Sequence, residues 1–319
     1  MFAALFLLIL IVLCHALDYM VTAGLRKTEL PQYAEWNAVL SGEAAADVIV
    51  QGSSRAWVGL SPAIIGGRLG MSCYNLAVNG YPLDMELARY RLYRAHAQDP
   101  KIIIQSVDTY SFNTRPDLFD NNQFLPYLSE EPVREAVEPY RYFHWYDYEL
   151  PLVRYRGKLE LMWRGMAEFL GIRHYVNHRD RGYQPQDLQW SDEFAEFVEA
   201  HPNGYEQVWK QTMVDEFDEF LSECGRDGIM VVLVYPPEYF GARELLNNRE
   251  ELFAIFRRLA DKHGVEFLDY SYDQMANDTK YFYNSQHLNR LGAETFSARL
   301  AEDLAALLQA GDAATATQP

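Results

Sequence analysis

The strongest constraint on the fold is a set of short apolar runs that show no alternation with polar residues. The clearest run, 228–235, reads GIMVVLVY and is followed by two prolines. Continuous runs of this length suit strands that are buried on both faces, as in a parallel sheet covered by helices. Four further segments are predicted as strands of this kind: 47–51, 73–77, 101–107 and 265–268.

The segments between these runs predict crossover helices. Apolar residues recur at helical spacing in 84–97, and long helices are also predicted at 204–225 and 243–263. A closing helix is predicted at 292–308, followed by a disordered tail at 309–319. Strands alternating with helices indicate an α/β fold. We expect a three-layer, doubly wound, five-stranded parallel sheet with the order 2-1-3-4-5.

A long insertion follows the third strand at about 111–203. Prolines recur there, and aromatic residues cluster at 140–148. A connection of this length must have its own packing, within one predicted domain at 28–308. The aromatic cluster allows four interpretations: a lid, a sugar-stacking wall, an edge at a membrane interface, or packing of the insertion onto the sheet.

The first 17 residues carry no charged side chain and reach the lower limit for crossing a bilayer. They predict an N-terminal membrane anchor or signal segment at 1–27. Small residues at 21–23 would allow cleavage, and a buried core helix is the remaining alternative. We expect an uncleaved anchor that carries a domain outside the cytoplasm, either periplasmic or extracellular.

Charge and cysteine content exclude several function classes. Acidic residues number 45 against 28 basic ones, a net charge of −17, so nucleic-acid binding is not expected. Cys14, Cys73 and Cys224 form no disulfide or metal-binding pattern. His174 and His178 have a spacing that suits a metal on a helix, but neighbouring arginines argue against a cation there. We expect neither a metal nor an organic cofactor.

The first predicted strand ends abruptly at Gly52, Ser53, Ser54 and Arg55. Ligands of parallel sheets collect at the carboxyl ends of the strands, and a glycine allows a sharp turn at that point. Ser54 is therefore a candidate nucleophile, and His287 is a candidate base for it. The alternatives are a serine-rich turn that caps the next helix and a histidine that caps or packs.

Two aspartates stand at the ends of other predicted strands. Asp108 follows the third strand and Asp269 the fifth, so both carboxylates are expected at the same edge of the sheet. An aspartate in such a place can equally cap a helix.

These stretches, taken together, resemble the SGNH, or GDSL-like, hydrolase superfamily. Gly52-Ser53-Ser54 matches the first block, G-D-S, with Ser53 in place of the aspartate. The stretch from Asn284 to His287 matches the last block, D-x-x-H, with Asn284 in place of the aspartate. Gly80 matches the glycine of the second block, whereas the third block, G-x-N-D, has no recognisable equivalent.

The resemblance implies a flavodoxin-like SGNH fold and a role for each matching residue. Ser54, His287 and Asn284 would form the catalytic set, and the backbone amides of Ser54 and Gly80 would form an oxyanion hole. Asn79 or Asn113 would supply the side-chain donor of that hole. Residues predicted to support the site are Arg55, Asp108 and Asp269.

The implied activity is that of a membrane-anchored serine esterase or O-acyltransferase. Its substrate would be an acylated glycan or lipid of the cell envelope, and a multi-spanning membrane acyltransferase would be its partner. The alternative is an envelope binding or accessory protein that has lost the acid of the triad. A carboxylate within hydrogen-bond reach of His287 would favour the enzyme, because Asn284 cannot stabilise an imidazolium as a carboxylate does.

Overall fold

A five-stranded parallel sheet forms the frame on which the candidate site is built. The computed structural model describes residues 2–175 and 179–316. The strand order is β2-β1-β3-β4-β5, which confirms the predicted sheet and fold class. The strands are β1 (Val48–Gln51), β2 (Cys73–Asn75), β3 (Ile102–Ser106), β4 (Met230–Tyr235) and β5 (Glu266–Asp269).

The two central strands explain why the apolar runs predicted a parallel sheet. All residues of β1 and β3 are buried. Val50 pairs in register with Ile104, which in turn pairs with Val232. Edge strand β5 differs, because Glu266 and Asp269 at its ends are exposed.

The described part of the chain contains thirteen α-helices and five short 3-10 helices. The α-helices of the described chain are α1 (Phe2–Leu25), α2 (Ala34–Ser41), α3 (Ser54–Gly59), α4 (Pro62–Leu69), α5 (Leu83–His96), α6 (Glu131–Val137), α7 (Trp145–Glu149), α8 (Leu159–Phe169), α9 (Glu193–Ala200), α10 (Gln211–Arg226), α11 (Phe240–Leu245), α12 (Arg249–His263) and α13 (Arg290–Ala316). Short 3-10 helices are Asn121–Tyr127, Glu138–Tyr140, Val153–Tyr155, Gln274–Asn277 and Thr279–Tyr281.

The described residues divide into two units. The helical unit is drawn from 1–43, 91–97 and 115–178, and the α/β unit from 44–90, 98–114 and 179–319. The predicted insertion is therefore divided: most of its first part belongs with the N-terminal helix, and its last part belongs with the sheet.

Two helices of the α/β unit differ from the prediction: one begins later and the other is broken in two. The pairing of Tyr205 with the chain around Leu246 accounts for both differences. Gly204 has a φ of +74° and the Tyr205 N–H donates to the Leu245 carbonyl at 2.8 Å, so α10 begins at Gln211 and not at 204. The Asn247 N–H donates back to the Tyr205 carbonyl at 2.8 Å. That bond lies in the break between α11 and α12, where a single helix was predicted.

The closing helix is longer than the sequence indicated. Helix α13 runs from Arg290 to Ala316, so residues 309–316 of the predicted disordered tail are helical. Alanine, which is frequent there, has the highest helix propensity. The last three residues of that predicted tail, and His178 of the predicted surface pair, lie outside the described residues.

Close packing of two helices defines the helical unit. A side chain at Gly24 of α1 would meet the Gly165 carbonyl oxygen of α8, and one at Gly165 would lie 2.5 Å from the Val21 carbonyl oxygen. Val21 and Leu25 are fully buried, whereas the side chains of α1 from Phe2 to Leu13 are exposed. The end of α1 is therefore part of this unit's core, and its beginning is not.

Candidate active site

The turn after β1 can be made only by glycine. Gly52 has a φ of +143°, and a β-carbon there would lie 2.7 Å from the Ser106 β-carbon and 2.9 Å from that of Ala56. The chain turns sharply and starts α3 at once, with Ser53 as its N-cap and Ser54 as its first residue. Ser54 therefore stands at the carboxyl end of β1.

The structure brings Ser54 and His287 together from positions 233 residues apart. Ser54 Oγ lies 2.7 Å from His287 Nε2. On the other side of the ring, His287 Nδ1 lies 3.0 Å from Asn284 Oδ1. The hydroxyl, the imidazole and the amide therefore form one hydrogen-bonded chain.

Backbone bonds determine which proton His287 carries. Asn284 Oδ1 accepts from the N–H groups of Gln286 at 3.1 Å and His287 at 2.9 Å, so the atom that faces His287 is the amide oxygen and not the nitrogen. An oxygen can only accept, which places the proton of the neutral ring on Nδ1. Nε2 is then left with its lone pair directed at the Ser54 hydroxyl, the tautomer that a general base requires.

The environment of His287 favours the neutral ring. Burial lowers the pKa of His287, and the positive charge of Arg55 lowers it further, to about 4 from an ordinary value of 6.5. The ring is neutral at pH 7 and is ready to accept a proton. Its conjugate acid is correspondingly strong.

Arg55 also holds the backbone around the site. Its side chain is buried and donates to the carbonyl oxygens of Pro236 at 2.7 Å, Pro237 at 3.1 Å and Gln286 at 3.2 Å. The guanidinium lies 4.7 Å from the centre of the Tyr235 ring, a cation–π distance. One side chain thus ties the loop after β4 to the loop that carries His287.

Asp108 contacts the turn that carries Ser54 through Ser53. The Ser53 hydroxyl donates to Asp108 Oδ2, and Asp108 Oδ1 accepts from the Tyr110 N–H at 2.7 Å. The Asp108 side chain is 3% exposed. Sequence reasoning placed Asp108 at this edge of the sheet but missed its bond to Ser53. A serine beside a candidate nucleophile carries no signal of its partner.

A second contact that the sequence did not predict is a stacked ring. Tyr283 lies parallel to His287, with ring centres 5.4 Å apart and an angle of 17° between the planes. The Tyr283 N–H also donates to the His287 carbonyl at 3.1 Å. Both residues are in an irregular loop, where sequence spacing does not indicate which side chains face each other.

The residues predicted to donate to an oxyanion lie in different surroundings. The Val78 N–H donates to the Gly52 carbonyl at 2.9 Å, which places the chain before Asn79 and Gly80 alongside the turn that carries Ser54. Gly80 has a φ of +79°, a left-handed conformation that glycine favours. The Ser54 N–H has no acceptor among the described residues. Asn79 is exposed, and Asn113 accepts from the Thr114 N–H at 2.7 Å.

Three aspartates that precede the His287 loop in the sequence could take the place of the triad acid, but each has another partner. Asp269 accepts from the Ser271 N–H at 2.9 Å and the Ser271 hydroxyl at 2.6 Å. Asp273 pairs with Arg299, and Asp278 with Lys280. Within residues 2–175 and 179–316, no hydrogen bond or ion pair joins His287 to a carboxylate.

The described residues contain no group of three or more His, Cys, Asp and Glu side chains that could hold a metal ion. No disulfide joins Cys14, Cys73 or Cys224 within the described chain. His174 Nδ1 lies 3.2 Å from Glu168 Oε2, an ion-pair contact in the helical unit.

Comparisons with known proteins give similar solved structures only. A GDSL-like lipase from Bacteroides thetaiotaomicron matches 85% of this chain and 98% of its own at 10% identity, with a TM-score of 0.38. The inhibitor-bound aryl esterase from M. smegmatis matches 82% of this chain and 98% of its own at 12% identity, with a TM-score of 0.36. No family model and no curated protein matches the chain. The interpretation of the site rests on its own geometry.

Proposed function

We propose that this protein is a membrane-anchored, exported serine ester hydrolase or O-acyltransferase of the SGNH type. Its substrate would be an acylated glycan or lipid of the cell envelope. The observation that carries the proposal is the 2.7 Å contact between Ser54 Oγ and the unprotonated Nε2 of His287. A serine hydroxyl becomes an effective nucleophile when a neighbouring base takes its proton.

In the first half of the reaction, Ser54 Oγ would attack the ester carbonyl while its proton moves to His287 Nε2. The carbonyl oxygen would take the negative charge, and the amide of Ser54 would stabilise it, with that of Gly80 as a second donor. His287 would then give its proton to the leaving alcohol as the carbon–oxygen bond breaks. An acyl ester on Ser54 would remain.

In the second half, a water or an acceptor hydroxyl would give its proton to His287 and attack the acyl ester. As the bond between Ser54 Oγ and the acyl carbon breaks, His287 would return that proton to Ser54 Oγ and restore the hydroxyl. Water would yield hydrolysis, and a sugar or lipid hydroxyl would yield transfer. Both outcomes use the same acyl-enzyme, so the two activities differ in which hydroxyl group reaches Ser54.

Asn284 would make this chemistry slow by the standard of a full triad. Its amide orients His287 but does not supply the negative charge that stabilises an imidazolium. Replacing the aspartate of a serine protease triad by asparagine lowers turnover by about four orders of magnitude. The low pKa of His287, about 4, weakens the ring as the base that takes the Ser54 proton, which also slows the attack. The same low pKa strengthens the imidazolium as the acid that protonates the leaving group, which partly offsets that loss.

The membrane part of the proposal rests on α1. This helix is long and apolar enough to cross a bilayer, which fits an anchor or a signal sequence. Val21, Gly24 and Leu25 lie in the core of the helical unit, which favours an uncleaved anchor, because cleavage after residue 23 would remove part of that core. Export and a multi-spanning acyltransferase partner are implied by the family resemblance.

The lack of a carboxylate bonded to His287 in the described chain favours a second candidate. An envelope binding or accessory protein could keep the crevice of the fold and bind an acylated glycan or lipid without cleaving it. In that case the Ser54–His287 bond would be a structural remnant, and no acyl-enzyme would form.

The test uses the full chain in lipid nanodiscs, with fluorophosphonate labelling and turnover of p-nitrophenyl acetate as readouts. We expect both signals in the wild type and neither in Ser54→Ala or His287→Ala. Ser222→Ala is the matched control, because Ser222 lies on α10 and bonds only Arg226 there. It should retain both signals.

Labelling of the wild type that persists in Ser54→Ala would contradict Ser54 as the nucleophile. A wild type that is unlabelled, and that still binds an O-acetylated glycan without deacetylating it, would favour the binding protein. Deacetylation of the glycan together with acetylation of added sugar would identify the transferase.

A further inference from the structure

The exposed apolar surface of α1 ends at a defined level. Side chains from Phe2 to Leu13 are exposed, and so is Leu17, whereas Asp18 is the first charged residue of the helix. If α1 enters a bilayer, as the proposed function has it, the boundary between hydrocarbon and water falls near Asp18. The surroundings of Asp18 therefore indicate what else lies at that boundary.

One segment of the helical unit reaches α1 at this level. The Leu152 N–H donates to Asp18 Oδ1 at 2.8 Å, and Arg154 forms an ion pair with the same carboxylate. One turn further along, the hydroxyls of Thr22 and Tyr155 lie 2.8 Å apart. The segment 152–155 is thus fixed beside the point where the exposed apolar stretch stops.

Large apolar side chains adjoin that segment and face outwards. Leu150 is 45% exposed, and Trp145 on α7 is 68% exposed. Helix α7 is held to the same segment by an ion pair between Asp147 and Arg156. One exposed leucine would be ordinary, but large apolar side chains grouped beside one helix indicate an interaction surface.

A second segment, at the end of α8, also presents exposed apolar side chains beside α1. The Phe169 ring packs edge-on against Tyr19, with ring centres 6.0 Å apart. The chain then leaves α8 with Leu170 54% exposed and Ile172 63% exposed. Two separate parts of the chain therefore present apolar side chains beside residues 18 and 19.

We propose that Trp145, Leu150, Leu170 and Ile172 form an apolar collar around α1 that rests in the interfacial layer of the bilayer that α1 enters. Tryptophan is enriched at that depth, because its ring is amphipathic. The collar lies at the level of Asp18, where the exposed apolar surface of α1 ends, and it adds further apolar surface there. A lipid bilayer is therefore the partner that this surface suits. The bilayer would then hold the helical unit by the collar as well as by α1.

The proposal rests on the membrane part of the proposed function, and one experiment can separate the two. The full chain, with Cys14→Ala, is labelled at single introduced cysteines with a nitrobenzoxadiazole fluorophore. Cys73 and Cys224 are buried and can remain. The chain is reconstituted in vesicles of equal parts phosphatidylcholine and phosphatidylglycerol, which carry a nitroxide either near the headgroup or near the acyl-chain end.

The label positions are Leu10→Cys in the helix, Trp145→Cys, Leu150→Cys and Ile172→Cys in the collar, and Glu131→Cys as control. Glu131 is exposed and follows Glu130, whose Oε1 accepts from Arg26 at 2.7 Å. Arg26 lies about 12 Å beyond Asp18 along the direction of the helix, at about 1.5 Å per residue. The control is therefore in the same unit but away from the predicted boundary.

We expect the acyl-chain nitroxide to quench the Leu10 label. The headgroup nitroxide should quench each collar label about threefold more strongly than the Glu131 label, as expected of interfacial residues. If the Leu10 label is not quenched by either lipid, the membrane part of the proposed function fails and the collar fails with it. Quenching at Leu10, with collar labels no more quenched than Glu131, would overturn the collar alone.

Discussion

Asn284 Oδ1 lies 3.0 Å from His287 Nδ1, and Asn284 stands where the D-x-x-H block that the sequence resembles has its aspartate. The same oxygen accepts from two backbone N–H groups, so Asn284 fixes its own loop as well as the imidazole. This geometry keeps the orienting role of the triad acid and omits its charge. The first prediction follows from that difference.

Asn284→Asp should increase activity. Aspartate is nearly the same shape as asparagine and can accept the same three hydrogen bonds, while its charge stabilises the imidazolium that forms during the reaction. We expect kcat/KM to rise by about tenfold or more, part of the roughly 10⁴-fold effect known for serine proteases. Ester turnover by the wild type and by Asn284→Asp measures this. A loss of activity in Asn284→Asp would mean that the site requires a neutral partner for His287.

Activity of the wild type should persist into the acidic range. The general base must be neutral, and the pKa of His287 is about 4, so kcat/KM should stay level from neutral pH downwards and fall to half near pH 4. A half-point near 6.5, the ordinary value for histidine, would show that His287 is not the titrating base or is not shielded as the structure has it.

The same pKa has a consequence for stability. Between pH 6.5 and about 4 the unfolded chain binds a proton on this histidine more readily than the folded one. The stabilising contribution of the neutral ring is therefore complete above pH 6.5 and is lost as the pH falls through about 4. Urea unfolding at several pH values should show a smaller acid destabilisation for His287→Gln than for the wild type.

Two replacements of Arg55 should distinguish the effect of its charge on His287 from the effect of its hydrogen bonds to the backbone. Arg55→Gln removes the charge, so the pKa of His287 should rise and the acidic limb of the pH profile should move to higher pH. Arg55→Lys is the control, because it keeps a charge while losing most of the carbonyl contacts. Both variants should lose about 2 to 3 kcal/mol of unfolding free energy, since buried carbonyls lose a charged donor.

The pH profiles of the two variants decide the role of Arg55. If Arg55→Gln and Arg55→Lys have the same acidic limb, Arg55 acts on the backbone only. A difference between them, with similar unfolding free energies, would show that the charge of Arg55 adds to burial in lowering the pKa of His287.

Gly52→Ala should damage both stability and labelling. The added β-carbon would lie 2.7 Å from that of Ser106, at a φ that disfavours any side chain. We expect a loss of about 3 kcal/mol or more in unfolding free energy and a displaced Ser54. Gly67→Ala is the matched control, because its β-carbon would meet nothing within 4 Å in α4. It should be neutral or stabilising by about 0.5 to 1 kcal/mol. Equal stability in the two variants would contradict the predicted strain.

The sequence predicted the frame of the molecule better than its local contacts. The runs around Val50, Ile104 and Val232 determine the sheet because a fully buried parallel strand must be continuously apolar. The Ser54 turn and the His287 loop could be paired because the family motif relates them. The Ser53–Asp108 bond and the Tyr283 stack could not be predicted, since they depend on how separate loops meet in space.

The division of the insertion was also beyond sequence reasoning. Nothing in the composition of 111–203 indicates that α8 packs on α1 through Gly24 and Gly165. Two glycines far apart in sequence become informative only when the helices are seen to touch. The break at Leu246 is similar, because the helical pattern of 243–263 is interrupted by Tyr205 from a distant segment.

The hydrogen bond between Ser53 and Asp108 limits how this site could change over evolutionary time. An aspartate at position 53, as in the family motif, would face a second carboxylate at 108, and two close carboxylates cannot both ionise without a large penalty. Gaining an aspartate at 53 before losing the one at 108 would leave two facing carboxylates, and losing Asp108 first would leave the Ser53 hydroxyl without its acceptor. We therefore expect relatives to carry one of two combinations, with the acid at 53 or at 108. Relatives with the acid at 108 would lack the aspartate of the G-D-S block, so that block alone would not identify them.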